Sequence, residues 1–478
     1  MTTPATSESR GSDPVTARLD RALHDLAAIS PDLIDNANRI GSILWAPPRV
    51  VIVGRLKAGK STLVNALVGA RVAATAALEA TSVVSIYQEG SPARAEAVLH
   101  NGQRLRAPAI KGTLSSLPAE ADQISYLHRW LPSASIRDYT LIDTPGLGTL
   151  TTENDRRTRR VLIDGFEQTR VASVDADAAV FLFDSAPRAD EIDFLRRLGV
   201  TPLNTLGVLS RADGFGEGAL GVRDPLEHAA EHSRRLAADL AGTVMTVMPV
   251  AGLLAETTHT GALTEQDARH LAELAHFEPR ELVSTLDRPD PAPLPAAVRD
   301  RLLDLLGEDG VLRGREIATQ GAAALNAWLA ERSGVPALRR ILADELGAFA
   351  RLHRAGRIVR ELESLAYTHS ARDEIRTVVD GLRTDPAVFD VVLLGHLTAM
   401  LGADPTSEVT TELRRMVENP TLPSKLGLPS TAGPDEITRT ALDLRAQAHS
   451  RSLSTLTAAE DSALATLIHV YGHVGAGR

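Results

Sequence analysis

This chain of 478 residues predicts an α/β domain, a mostly parallel sheet with helices on both faces, joined to an elongated all-α bundle. Three observations predict it. An apolar strand, Val50–Val53, runs into Gly54-Arg55-Leu56-Lys57-Ala58-Gly59-Lys60-Ser61 and then the helical run Thr62–Val68. Further short apolar runs at Val83–Tyr87, Tyr139–Ile142, Ala178–Phe183, Thr205–Leu209 and Val244–Val250 alternate with helical stretches, the pattern of a parallel sheet covered on both faces. After about Thr257 the strand signals stop, and apolar residues recur at helical spacing to the end.

Ahead of the first strand, Leu19, Leu23, Leu26, Ile29, Leu33, Ile40, Ile43 and Leu44 mark one or two helices over residues 15–46, ended by Pro47-Pro48. Such helices cannot bury their stripe alone, so they are expected to join the C-terminal bundle. Residues 1–14 read as a polar, disordered tail with no apolar core of a signal peptide. The α/β domain is expected over 47–285 and the bundle over 286–478. Ala95–His100 and Gln103–Arg106 flank Asn101-Gly102, which predicts an antiparallel hairpin added to the sheet. In the bundle, Leu338, Ile341, Leu342, Leu346, Phe349 and Leu352 form one stripe, continued by Ile358, Leu362, Leu365 and Tyr367.

Composition narrows the chemistry. Aromatic residues make up only 3%, so the cores must be aliphatic, and the absence of cysteine excludes disulfides, thiolate metal sites and cysteine nucleophiles. A net charge of -10 disfavours extended contact with nucleic acid, which depends on Lys and Arg neutralising phosphates. The chain reads as cytoplasmic. Lysine is confined to Lys57, Lys60, Lys111 and Lys425, with arginine doing every other basic job. Two of those four lysines lie in one loop.

That loop has the GxxxxGKS spacing of a phosphate cradle. Gly54 and Gly59 let the backbone curl so that N–H groups of residues such as Ala58 face phosphate oxygens, and the following helix adds its positive end around Thr62. Lys60 is the candidate for the β- and γ-phosphates, and Ser61 for Mg²⁺. Tyr139–Ile142 then runs into Asp143-Thr144-Pro145-Gly146, where Asp143 can accept from an Mg²⁺-bound water and the Gly146 N–H can meet a γ-phosphate. Leu206–Leu209 ends in Ser210-Arg211-Ala212-Asp213, a variant of the [NT]KxD motif in which Asp213 accepts from guanine N1 and N2 and the Arg211 stem lies on the base. Adenine lacks that donor pair, so the substrate expected is GTP. Thr81, before the strand Val83–Tyr87, is a candidate to fold over the γ-phosphate and complete the metal shell; Thr75 competes for that role. His228-Ala229-Ala230-Glu231-His232 has a zinc-like spacing, against which stands the plainer reading of a solvated helix face.

The block Gly54–Gly69 resembles the loop of bacterial dynamin-like proteins. With Glu79–Ser82, Leu141–Gly146, Leu209–Asp213 and Leu329–Arg339, it is similar more specifically to the isoniazid-inducible dynamin-like proteins of actinobacteria. The likeness covers about three-quarters of the chain and fades after about Asp385. It implies a large GTPase domain on a helical neck and trunk, nucleotide-dependent association through the GTPase face with a second copy or a related dynamin-like chain, and remodelling of the inner membrane from its cytoplasmic side as a peripheral protein. Leu56 departs from the dynamin pattern, which has a glutamine there to orient the attacking water. Lys57 stands where a serine helps hold a charge-compensating cation, and its ammonium is expected to supply that charge.

A bilayer-contacting tip is sought within 402–435, where Leu422, Leu426 and Leu428 flank Lys425; the alternative is that the apolar run Val388–Leu401 is a buried helix followed by a packed connector. A different function class also fits: a GTP-dependent switch or assembly factor, or a weakly hydrolysing partner of another dynamin-like protein, with a helical effector domain and no membrane remodelling.

Overall fold

A computed structural model describes residues 13–55, 57–73, 83–110, 113–114, 116–145, 176–197, 201–278, 282 and 294–477. The chain divides into two compact units, residues 47–350 and residues 1–46 with 351–478.

The first unit is built on nine strands: β1 (Arg49–Gly54), β2 (Ser85–Glu89), β3 (Arg94–Leu99), β4 (Arg104–Ala107), β5 (Ile124–Leu131), β6 (Thr140–Asp143), β7 (Ala178–Phe183), β8 (Thr205–Ser210) and β9 (Val247–Val250). Their order is β9-β8-β7-β1-β6-β2-β5-β3-β4. From β9 to β6 every pairing is parallel. Strand β2 turns antiparallel against β6, β5 runs parallel to β2, and the β3–β4 hairpin closes the edge antiparallel.

Alternate residues of β1 feed two different cores, as a strand covered on both faces requires. Val50 and Ile52 pack with Leu63, Val64 and Leu67 of helix α3 (Lys60–Val68), whereas Val51 and Val53 pack with Phe181, Phe183, Leu195 and Leu236 on the opposite face. Leu195 lies on α4 (Ala189–Arg197) and Leu236 on α5 (Pro225–Asp239). The register places Ile52 beside Asp143, Gly54 beside Leu182 and Leu209 beside Phe183. The loops leaving β1, β6 and β8 therefore emerge at one edge, outside the carboxyl ends of parallel strands, where open α/β sheets place their ligands.

The boundary expected at residue 285 is corrected to 350. The helices beyond residue 294 bury their stripes within the first unit, so they do not belong to the separate bundle. Helices α8 (Ala296–Ala318) and α9 (Ala322–Arg332) send Leu302, Leu305, Leu306, Val311, Leu325 and Leu329 into a core with Leu254 and Leu271. Leu254 belongs to α6 (Gly252–His259) and Leu271 to α7 (Glu265–Ala272). Helix α10 (Val335–Ala343) adds Val335, Leu338 and Leu342 to the core under the sheet.

In the second unit, α1 (Pro14–Ile29) starts on an Asp13 cap with proline at its first position, a favourable opening because proline has no N–H to satisfy. Its Leu19, Leu23 and Leu26, with Leu33 and with Ile40 and Leu44 of α2 (Ile34–Trp45), pack against Ile358 and Leu362 of α11 (Glu345–Thr368) and Ile375, Val379 and Leu382 of α12 (Arg372–Arg383). Each fully buried leucine contributes about 1.5–3 kcal/mol. Helices α13 (Phe389–Ala403), α14 (Glu408–Glu418), α15 (Pro434–Ser452) and α16 (Ala458–Gly475) follow.

Residues 386–403 are long and apolar enough to cross a membrane by length and composition. In the fold, Val391, Leu393, Leu394, Leu397 and Met400 of this stretch are buried. In the segment 402–435, where a tip is sought, the three leucines differ in burial. Leu426 is a core residue, and the Lys425 ammonium is paired with Asp390 while its carbonyl accepts from Arg415 Nε at 3.0 Å. A leucine already in the core and a cation already paired favour the alternative of a packed connector for this part of the segment, although Leu422 is 41% exposed.

Candidate nucleotide site

The loop leaving β1 is shaped before any ligand is considered. Ala58 N donates to Arg55 O at 3.2 Å, Lys57 takes a left-handed φ of 65°, and Gly59, at φ 89°, caps α3. Gly54 is required by a close approach: a β-carbon there would lie 2.5 Å from the Leu182 carbonyl oxygen on β7. Lys60 is only 7% exposed, and its ammonium donates to Gly54 O at 3.0 Å and Arg55 O at 2.9 Å. These carbonyls hold the charge in the place where phosphate oxygens would compete for it.

Burial pulls the Lys60 ammonium down to about 8, with the Asp143 carboxylate opposing, and burial pushes Asp143 up to about 6, with Lys60 and Arg129 opposing. Both shifts say that this pocket is short of compensating charge. Asp143 Oδ1 is buried and has no hydrogen-bond partner among the described residues. An acceptor left bare in a buried site normally awaits a donor or cation, so the Ser61 and Asp143 pair fits Mg²⁺ with its bound water. Thr144 Oγ1 is occupied elsewhere, donating to Ile52 O at 2.8 Å.

The Ser210–Asp213 segment expected to read the base reaches the phosphate loop directly. Arg211 sits at φ 55°, and its guanidinium donates to the Lys57 carbonyl at 2.9 Å. Asp213 follows in a short helical turn, Ala212–Gly214. Burial holds its carboxyl above the usual carboxylate range; a backbone N–H lowers it, the Asp309 charge raises it, and the Arg211 and Arg332 charges lower it. The Ser210 hydroxyl donates to Phe183 O at 3.2 Å, tying β8 to β7.

Lys60, Ser61, Asp143, Arg211 and Asp213 thus gather at one sheet edge, with Gly54, Lys57, Ala58, Gly59 and Thr62 building the loop. Thr81, Gly146, Leu56 and the competing Thr75 lie outside the described residues.

Two residues that the motifs did not announce support the site. Asn65 accepts from the N–H groups of Val72 and Ala73 at 2.8 and 2.7 Å and donates to Ala73 O at 3.2 Å and Glu256 Oε1 at 2.9 Å, fixing the start of the segment that leads to Thr81. Buried Arg129 on β5 donates to Val72 O at 2.7 Å and to the Tyr87 hydroxyl at 3.1 Å, while its charge bears on Asp143. The only sequence signal for Arg129 is a charge at an inward position of an alternating strand.

The zinc-like histidines hold a ring instead of a metal. His228 and His232 flank Phe215 with ring centroids 5.1 Å away on each side, and Glu231 pairs with Arg223 at 3.0 Å. Among the described residues no cluster of three or more His, Cys, Asp or Glu side chains could hold a metal.

Residues 50–211 match the domain described as the Dynamin family. The isoniazid-induced protein IniC of Mycobacterium tuberculosis is 32% identical over 410 residues, 81% of this chain and 81% of its own length. The chain belongs to the dynamin family. It is also similar to the GTPase Der of Paenarthrobacter aurescens, at 27% identity over 223 residues, 45% of this chain and 35% of that one. Among solved structures, an oligomerised bacterial dynamin pair superimposes with a TM-score of 0.38 at 12% identity, covering 98% of this chain and 76% of the other. This dynamin-family chain keeps its phosphate loop and Asp143 inside the matched region, whereas Asp213 falls two residues beyond it.

Proposed function

We propose that this dynamin-family protein binds and hydrolyses GTP with Mg²⁺, associates through its GTPase face with a second copy or a related dynamin-like chain when nucleotide is bound, and works as a peripheral protein on the inner face of the cytoplasmic membrane. The observation that carries the nucleotide reading is the Arg211–Lys57 bond, which ties the base-reading loop to the phosphate loop at 2.9 Å. One loop presents Lys60 and backbone N–H groups to phosphates; the other presents Asp213 to the N1 and N2 donors of guanine. Ser61 and Asp143 would hold Mg²⁺, which when bound neutralises charge on the β- and γ-phosphate oxygens. Lys57, exposed and at a left-handed φ of 65°, would bring its ammonium toward the same oxygens.

For the membrane part, support comes from the turn joining α15 to α16. Leu453 and Leu456 are 88% and 92% exposed there, among the uncharged Ser452, Ser454, Thr455 and Thr457. A protruding pair of leucines among hydroxyl groups suits shallow insertion into a lipid interface.

The decisive experiments are two. Asp213→Asn is expected to shift preference from guanosine to xanthosine nucleotides; retained GTP selectivity would refute the base assignment. Flotation with anionic liposomes, with and without GTP, tests the rest: no association in either state would leave a GTP-dependent switch with a helical effector domain as the reading.

A further inference from the structure

Two helices outside the sheet close on the loop that carries Asp213. Helix α8 is broken at Gly307, whose φ of 62° and ψ of -179° leave the helical region. The break abuts the base-reading loop: a β-carbon on Gly307 would lie 3.6 Å from Asp213 Oδ2 and 3.5 Å from Leu253 Cδ2. A left-handed φ disfavours any other residue there, so glycine is what lets this backbone stand beside the carboxylate.

Two residues on, Asp309 has a side chain 0% exposed and is gripped by the fork of Arg332, Nε to Oδ2 at 2.8 Å and Nη2 to Oδ1 at 2.9 Å. The same Nη2 donates to both oxygens of Asp224 at 3.0 Å. Arg313 adds a bond to Asp309 at 2.9 Å. Asp224 in turn caps α5 through Leu226 N at 2.9 Å, at the point where the chain coming from Asp213 enters that helix. Arg332 on α9 therefore links α8, immediately after its break, to the exit of the base-reading loop. Asp309 is fully buried while Arg332, Asp224 and Arg313 keep 14%, 18% and 33% of their side chains exposed, and a brace alone would be served as well by apolar packing at the buried end of this cluster. What the fork adds is a fixed register between Gly307 and the loop.

We propose that Arg332 is a positioning residue for guanine recognition. By holding Asp309 and Asp224 together it keeps the Gly307 break against Asp213, and so fixes the carboxylate where both the N1 and N2 donors of guanine reach it. Helices α8 and α9 are then part of the base site, although they lie outside the region matched to the Dynamin family. The inference rests on the reading of Asp213 as the guanine acceptor.

The test compares three ligands on the full chain: GTP, ITP, whose base lacks the N2 amino donor, and inorganic tripolyphosphate, which has no base. Arg332→Gln and, separately, Gly307→Ala are expected to lower the GTP-to-ITP affinity ratio by about tenfold, the scale on which a misplaced hydrogen-bonding group loses discrimination, with tripolyphosphate affinity within about twofold of wild type. Arg332→Lys, which keeps the charge and loses the fork, is expected to fall between. An equal drop for all three ligands, or an unchanged ratio, overturns the proposal. If Arg332→Gln does not fold, the Arg332→Lys and Gly307→Ala ratios decide by the same criterion. Asp213→Asn, run in parallel, separates the two failures: no switch to XTP refutes the base assignment itself, whereas a switch with an unchanged ratio in the Arg332 and Gly307 variants refutes only the positioning role.

Discussion

Replacing Asp143 with asparagine should make the ligand-free protein more stable at pH 7 while removing the carboxylate proposed to serve Mg²⁺. Burial raises the Asp143 carboxyl from 3.8 to about 6, against the lowering pull of Lys60 and Arg129. At 1.36 kcal/mol per pH unit, holding this group ionised in the fold at pH 7 costs up to about 3 kcal/mol, and solvent reaching the outer part of the carboxylate brings that toward about 2. The attraction of Lys60 is already contained in the shift, so losing it adds no separate penalty. Because the folded pKa lies above the unfolded one, the stability linked to this proton is fully present below about pH 4 and is lost as pH rises through 6. Asp143→Asn removes that loss. Urea denaturation of nucleotide-free protein in chelator, from pH 4 to 8, should show the variant ahead by about 2–3 kcal/mol at pH 7, with the gap closing below pH 5. A variant equal to or weaker than wild type at pH 7, or a gap that does not change with pH, would refute the picture of an uncompensated buried carboxylate.

Other outcomes follow from the same geometry. Lys57→Ala should bind GTP within a few-fold of wild type and hydrolyse it about 10- to 100-fold more slowly, the range for losing one charge aimed at a transition state; phosphate release at saturating GTP decides, and a wild-type rate removes Lys57 from the chemistry. Because burial holds Lys60 near 8, triphosphate binding at pH 8 should take up on the order of half a proton, read by calorimetry in buffers of different ionisation enthalpy. The carboxyl of Asp267 is pushed up by burial but drawn down further by bonds from Arg301 and Thr264, to about 2, so this pair stabilises the fold above pH 4 and ceases to as pH falls through 2. Arg301→Ala should therefore cost about 1–2 kcal/mol at pH 7 and nothing at pH 2 by chemical denaturation. Leu453→Ser with Leu456→Ser should cut liposome flotation at least about tenfold at unchanged Tm, since neither side chain is packed in the fold.

Much of this was legible because the signals are local. A strand, a glycine loop and a helix sit within twenty residues at Val50–Val68, and the strands at Ala178–Phe183 and Thr205–Ser210 are short apolar runs with no rival reading. Strand β5 was not legible, because Tyr126, His128 and Arg129 interrupt its apolar alternation, and Arg129 is inward-facing only because the Val72 carbonyl and Tyr87 hydroxyl wait for it. The domain boundary was misread because proline punctuates loops and domain joints alike; only the burial of Leu305, Leu325 and Leu338 tells the two apart. No local pattern announces the Arg211–Lys57 bond, which spans 154 positions, or a grip by Arg332 on Asp224 from 108 positions away.

These long-range bonds matter for what the site costs to use. Among the described residues, the phosphate loop and the loop of Asp213 are already joined through the Lys57 carbonyl, and Asp213 is already backed by the Gly307 break, which lowers the ordering cost of those two loops on binding. The expense lies in charge: among the described residues Lys60 donates to its own loop carbonyls and Asp143 Oδ1 is buried without a hydrogen-bond partner. Phosphates held by Lys60 and a cation held by Asp143, as proposed, would relieve both at once. Affinity should therefore depend more steeply on the charge of the phosphates than on the base, with discrimination among bases, on the reading proposed above, left to Asp213 and the helices that hold it. A ligand lacking the γ-phosphate would relieve less of this strain, which gives the loop itself a reason to distinguish GTP from GDP before any other segment closes over the nucleotide.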